Sequence, residues 1–163
     1  MYNTDTKVLI SDFDGTLARV SPNSKMSDIV DRFPHFVYYI MMIILGLGYP
    51  FRLSNKKVLS FVKNHKGKVI IHSSVKDILP SRIAIKVWLL IHRVRYDKLI
   101  LRKHGESKEH FKYINIVNER GSFVLENEPK TISYIEGRLG SMKVHFQERG
   151  CQVLENPQTK EYM

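Results

Sequence analysis

The sequence predicts an α/β protein, a three-layer sandwich with a mainly parallel central sheet, and three observations carry that reading. Short apolar runs rich in β-branched residues alternate with longer segments of helical periodicity, the order expected of successive βαβ units. Several runs end in chemically useful residues: Asp12 and Asp14 after the first, Ser73 and Ser74 after the second, Glu126 and Asn127 after the fourth. Ligands of open α/β sheets gather at those carboxyl ends. Finally, 163 residues with no internal repeat, low-complexity tract or linker fit one domain spanning 1–163, large enough to bury a real core.

The elements follow in order. Lys7–Ser11 is the first predicted strand, and residues 28–46 read as helical with a break near Pro34. Ser54 is a candidate N-cap for a helix carrying Val58, Leu59, Phe61 and Val62 and ending near Gly67. Lys68–Ser73 is the second strand. Pro80–Val94 is helical, with Ile83, Val87, Leu90 and Ile91 at helical spacing. Asp97–Arg102 is the third strand, Ser107–Asn118 a helix and Ser122–Glu126 the fourth strand. Pro129 suits the first turn of a helix reaching about Leu139. Met142–Gln147 is a fifth strand, and the tail after Cys151 reads as loop.

Charge narrows the partners. Lys plus Arg number 26 against 16 Asp plus Glu, a formal net charge of +10, which favours a phosphorylated metabolite, nucleic acid or an anionic membrane surface. The single cysteine, Cys151, excludes an intramolecular disulfide. The polar opening Met1-Tyr-Asn-Thr-Asp-Thr has no signal-peptide pattern, so a cytoplasmic protein is expected. Residues 36–51 are almost wholly apolar. Their uninterrupted core is shorter than the ~20 residues a spanning helix needs, and Pro34, Gly46, Gly48 and Pro50 limit its extension. A buried helix, a cap or a dimer surface is preferred there to a membrane contact. Zinc-ligand spacing, a P-loop and a GxGxxG turn are all missing from the sequence.

The chemistry concentrates at the first strand, Lys7-Val-Leu-Ile-Ser-Asp12-Phe-Asp14-Gly15-Thr16-Leu17. Asp12 and Asp14, spaced i and i+2, are expected to converge at the strand's end. Two such acids repel unless a cation lies between them, and grouped oxygen ligands suit Mg²⁺. Gly15 permits a sharp turn, and Thr16 offers a hydroxyl and an N–H to an anion.

Asp12-Phe-Asp14-Gly15-Thr16-Leu17 resembles the signature of the haloacid dehalogenase-like (HAD) phosphohydrolases. The resemblance implies a Rossmann-like core with a small helical cap or insertion over about 20–66, a nucleophilic Asp12 and an acid–base Asp14. It assigns Ser73, with Ser74 as the alternative, to a phosphoryl oxygen. A family lysine corresponds to Lys112 or to Lys108, Lys112 having the better spacing to Glu126. Asp12, Asp14, Glu126 and Asn127 form the implied Mg²⁺ set, with Glu126 standing where the family often has Asp and Glu128 as a fallback. The stretch Ser81-Arg…Trp88-Leu…Tyr96-Asp97-Lys-Leu is similar to the nucleotidase-like branch.

The implied activity is Mg²⁺-dependent hydrolysis of a small phosphate monoester, such as a nucleotide or sugar phosphate, through an aspartyl-phosphate. Two alternatives stand beside it: a phosphatase acting on nucleic-acid 3′-phosphate ends, and a catalytically weak binding module keeping the fold.

Overall fold

The computed structural model describes residues 7–19, 34–148 and 150–157. Part of the expected 20–66 insertion therefore lies outside the described residues. Its described portion contains α1 (His35–Gly46), a 3-10 turn (Tyr49–Phe51) and α2 (Lys56–Asn64). The remaining elements are β1 (Leu9–Asp12), β2 (Val69–Lys76), α3 (Leu79–Ile91), β3 (Lys98–Arg102), α4 (Lys108–Asn118), β4 (Phe123–Glu126), α5 (Pro129–Leu139), β5 (Lys143–Glu148) and β6 (Cys151–Glu155).

The six strands form one sheet in the order β3-β2-β1-β4-β6-β5. Strands β1 to β4 run parallel, with Leu9 opposite Val69 on β2 and opposite Phe123 on β4. The chain moves outward from β1 through β2 to β3, then crosses to lay β4 on the other side of β1. That reversal is a topological switch point, where open α/β sheets bind ligands. β6 runs antiparallel to β4 and β5 antiparallel to β6.

Strand periodicity explains the layers, because successive side chains point to opposite faces. Ile10, Ile70 and Val124 join Ile116 of α4 and Ile132, Ile135 and Leu139 of α5 in one core. Leu9, Ile71 and Leu125 face the other way. They meet Val58 and Val62 of α2 and Ile85, Trp88 and Leu89 of α3. β1 is buried throughout, as a central parallel strand must be.

Three expectations are corrected. Cys151–Glu155 of the expected loop tail is a strand, because β6 pairs with both β4 and β5, after Gly150 turns the chain at φ +83°. The N-cap position of α2 is Asn55, one residue beyond Ser54, and its side chain makes no capping bond. The phase of α3 also differs: Ala84, Ile85, Trp88 and Leu89 face the core, while Ile83, Leu90 and Ile91 are exposed. That helix is apolar on nearly every side, so spacing alone does not select its inner face.

Candidate active site

β1 delivers Asp12 to the switch point. Register sets Asp12 opposite His72 of β2. Glu126 lies one residue beyond the Ser11–Leu125 pair on β4. All three therefore project from the face that carries Ile10, Ile70 and Val124, beneath α4. Lys112 reaches down from α4 and donates to Glu126 Oε2 at 2.7 Å, while its Nζ lies 3.0 Å from Asp12 Oδ1. Asp12, Glu126, Lys112 and His72 are all buried. Lys108 stands one turn earlier on α4, half-buried.

Burial opposes ionisation here, and the charges decide what remains. Burial, with Glu126 and Asp14 adding like charge, outweighs the pull of Lys112 and holds the Asp12 carboxyl well above its usual range. Burial would strip the Lys112 proton, but Asp12 and Glu126 overcome it and keep the ammonium charged. Glu126 uses its extra methylene locally. Oε1 accepts the backbone N–H groups of Asn127 and Glu128 at 2.9 and 3.1 Å, while Oε2 takes Lys112.

Asp14 lies past the end of β1, where strand alternation no longer applies, and its carboxylate engages a separate set of partners. Oδ2 accepts from Ser73 Oγ at 2.8 Å. Oδ1 accepts from Arg52 at 2.6 Å and from the Tyr49 hydroxyl at 3.4 Å. Ser73 is buried; Ser74 is half-buried, and its carbonyl accepts from Arg102 Nε at 2.7 Å. The Arg52 guanidinium stacks 3.7 Å from the Tyr49 ring centroid. Trp88 donates its indole N–H to the Arg52 carbonyl at 3.0 Å and packs edge-on against Phe13 at 5.1 Å.

The turn itself is tightly built. Gly15 adopts φ +80°, and a Cβ there would lie 2.4 Å from Asn127 Nδ2. Thr16 is buried and donates to Asn127 Oδ1 at 3.1 Å, with Asp12 Oδ2 at 3.4 Å. Asn127 thus closes over the Gly-Thr turn and links β4 to β1.

Two groups were not legible as site residues. Arg52 follows the apolar segment and lies 38 residues from Asp14; its only sequence signal is a base at the edge of that segment. His72 precedes the two serines, and neither ring nitrogen has a hydrogen-bond partner. Burial, reinforced by Lys112, lowers its basicity and keeps the imidazole neutral.

The donor set fits a cation. One ligand atom from each of Asp12, His72 and Glu126 lies within 4.8 Å of the others. Among the described residues, three carboxylates, those of Asp12, Asp14 and Glu126, face two bases, Lys112 and Arg52. These described groups leave one negative charge over, which a metal ion or a proton would balance. Carboxylate oxygens suit a hard cation, and the imidazole extends the range to borderline metals.

Comparison with known proteins gives likeness at the level of fold. No protein-family profile matches the chain, and no curated protein matches it. Among solved structures, a chain in the structure of the Pnkp1/Rnl/Hen1 complex superposes with a TM-score of 0.56 at 20% identity. A chain in the structure of the Pnkp1/Rnl/Hen1 RNA repair complex superposes with a TM-score of 0.59 at 19% identity. Each alignment covers 85% of the present chain, but only 45% and 42% of the respective neighbours, so the chain spans less than half their length.

Proposed function

We propose that this chain is a HAD-type phosphohydrolase that removes phosphate from a monoester through an aspartyl-phosphate on Asp12, and that its substrate is a phosphorylated nucleic-acid end. The observation that carries the chemistry is the arrangement at the end of β1. Asp12 stands between Lys112 and Thr16, and Asp14 is held by Ser73 and Arg52. The net charge of +10 and fold neighbours from a complex named for RNA repair support the choice of substrate.

In this mechanism Asp12 attacks phosphorus in line with the ester oxygen. A P–O bond forms to the carboxylate and the ester P–O bond breaks. Asp14 gives its proton to the departing oxygen and then takes one from the hydrolytic water, which attacks phosphorus and releases Asp12. Lys112, Thr16 and Ser73 supply cationic and hydroxyl contacts to phosphoryl oxygens. Asp12, Glu126, the Asp14 carbonyl and Asn127 would hold Mg²⁺. Such an ion, when bound, would offset the repulsion between nucleophile and phosphate. The described part of the expected insertion brings Tyr49 and Arg52 to Asp14.

The test is phosphate release from 3′-phosphorylated RNA and DNA oligonucleotides, nucleotides and sugar phosphates, with and without Mg²⁺, beside Asp12→Asn. Mg²⁺-dependent release that favours oligonucleotides, weakens with salt and vanishes in Asp12→Asn is expected. Full activity in Asp12→Asn overturns the nucleophile assignment. Preference for mononucleotides or sugar phosphates moves the substrate to a small ester.

A further inference from the structure

The most unusual surface of this protein is apolar. α1 buries Tyr38 and Met42 but leaves Phe36, Ile40, Ile44 and Leu47 exposed at helical spacing, Phe36 at 67% and Leu47 at 74%. Leu79, Ile83 and Leu90 form a corresponding exposed stripe on α3. The two helices that carry these stripes touch. A Cβ built at Gly46 of α1 would lie 3.5 Å from Ala84 Cβ of α3, so the two stripes lie on adjoining helices. Phe51, 84% exposed, extends the surface beside Arg52. Exposed apolar side chains gathered on adjoining helices in this way mark a contact surface.

Charge identifies the occupant. Between Asp31 and Asp97 the sequence contains twelve Lys and Arg and a single acid, Asp77. Asp77 is already paired with Arg82 at 2.7 Å. Lys86 lies within the α3 stripe, three residues after Ile83 and four before Leu90, and Arg93 and Arg95 follow its end; all three are exposed. A second copy would set these bases against their own kind. The α1 face also offers little to a protein partner, since Tyr39 is the one exposed side chain in its apolar run able to hydrogen-bond, whereas protein interfaces carry a hydrogen bond per roughly 100–200 Å². Bulky aliphatic and aromatic groups bordered by long basic side chains are the composition of a helix lying in a bilayer interface, with the bases reaching anionic headgroups. At 12 residues α1 is too short to span, and no helix among the described residues is long and apolar enough to cross a membrane.

We infer that the α1–α3 face docks on an anionic lipid bilayer, with the apolar stripes in the interface and Lys86, Arg93 and Arg95 against the headgroups. The test is flotation of the full chain with vesicles of equal parts phosphatidylcholine and phosphatidylserine, beside pure phosphatidylcholine, across a salt series. Binding to the mixed vesicles, weaker on the neutral ones and falling with salt, is expected. Ile40→Asp with Ile44→Asp should weaken it about tenfold or more, and Lys86→Glu with Arg93→Glu to a similar extent. The substituted side chains are exposed, so unfolding midpoints should stay near wild type. Asp12→Asn should bind as wild type, which separates this inference from the catalytic one. Absence of binding, or binding unchanged in the apolar double variant, overturns it. So does a sedimentation mass twice that of the chain that Ile40→Asp with Ile44→Asp returns to one, since the face then belongs to a second copy.

Discussion

Arg52 and Asp14 are joined by a 2.6 Å ion pair across 38 residues of sequence. Ring stacking on Tyr49 and the Trp88 bond to the Arg52 carbonyl fix the base from two further directions. The second carboxylate of the Asp-x-Asp turn is thereby oriented by an element that begins far from it.

Removing that orientation should cost turnover more than folding. Arg52→Ala should lower kcat about a hundredfold, the scale expected when a reacting group loses its placement, with a melting temperature close to wild type. Arg52→Lys should recover only part, lacking the planar fork. Guanidinium added to Arg52→Ala should restore activity, whereas added sodium should not. Equal loss of kcat and stability, with no rescue, would make Arg52 purely structural.

Lys112 balances two buried carboxylates, so its loss is a folding problem as well as a chemical one. Lys112→Met leaves Asp12 and Glu126 together without a base and should destabilise the protein by about 3–5 kcal/mol near neutral pH. The deficit should shrink as the pH is lowered, because one carboxyl can then take a proton. Urea unfolding at several pH values measures both the size and the trend.

Gly15 answers to two constraints at once, a positive φ and the proximity of Asn127. Gly15→Ala should destabilise by about 1–3 kcal/mol and displace Asn127 from Thr16. The check is urea denaturation together with turnover. Wild-type values in both would show that the turn has slack the structure denies.

His72 predicts the acid limb of stability. Its basicity is lowered in the folded state, so below the ordinary imidazole value of 6.5 the unfolded chain binds a proton that the folded chain does not. The stability it contributes is present above that value and lost as pH falls, at up to about 1.4 kcal/mol per pH unit. Replacing the ring in His72→Gln should flatten the slope just below pH 6.5. An unaltered slope would assign that limb to other groups.

Sequence alone determined the alternation of strands and helices, the Asp12–Thr16 turn at the end of β1, and the late acid at Glu126, because each is written in a contiguous window whose periodicity reports its own conformation. β6 escaped because Cys151–Glu155 is short and takes its partners from β4 and β5; only Gly150 announced the turn. The inner face of α3 escaped because a helix whose polar residues are only Ser81, Arg82 and Lys86 has no sharply defined phase. Lys112 was named as the site lysine from its spacing to Glu126, but tertiary structure alone decided that Arg52 and Tyr49 meet Asp14 and that His72 joins Asp12 and Glu126. Such convergence depends on strand order and on the pitch of α4 over the sheet, and no local pattern in the chain encodes either.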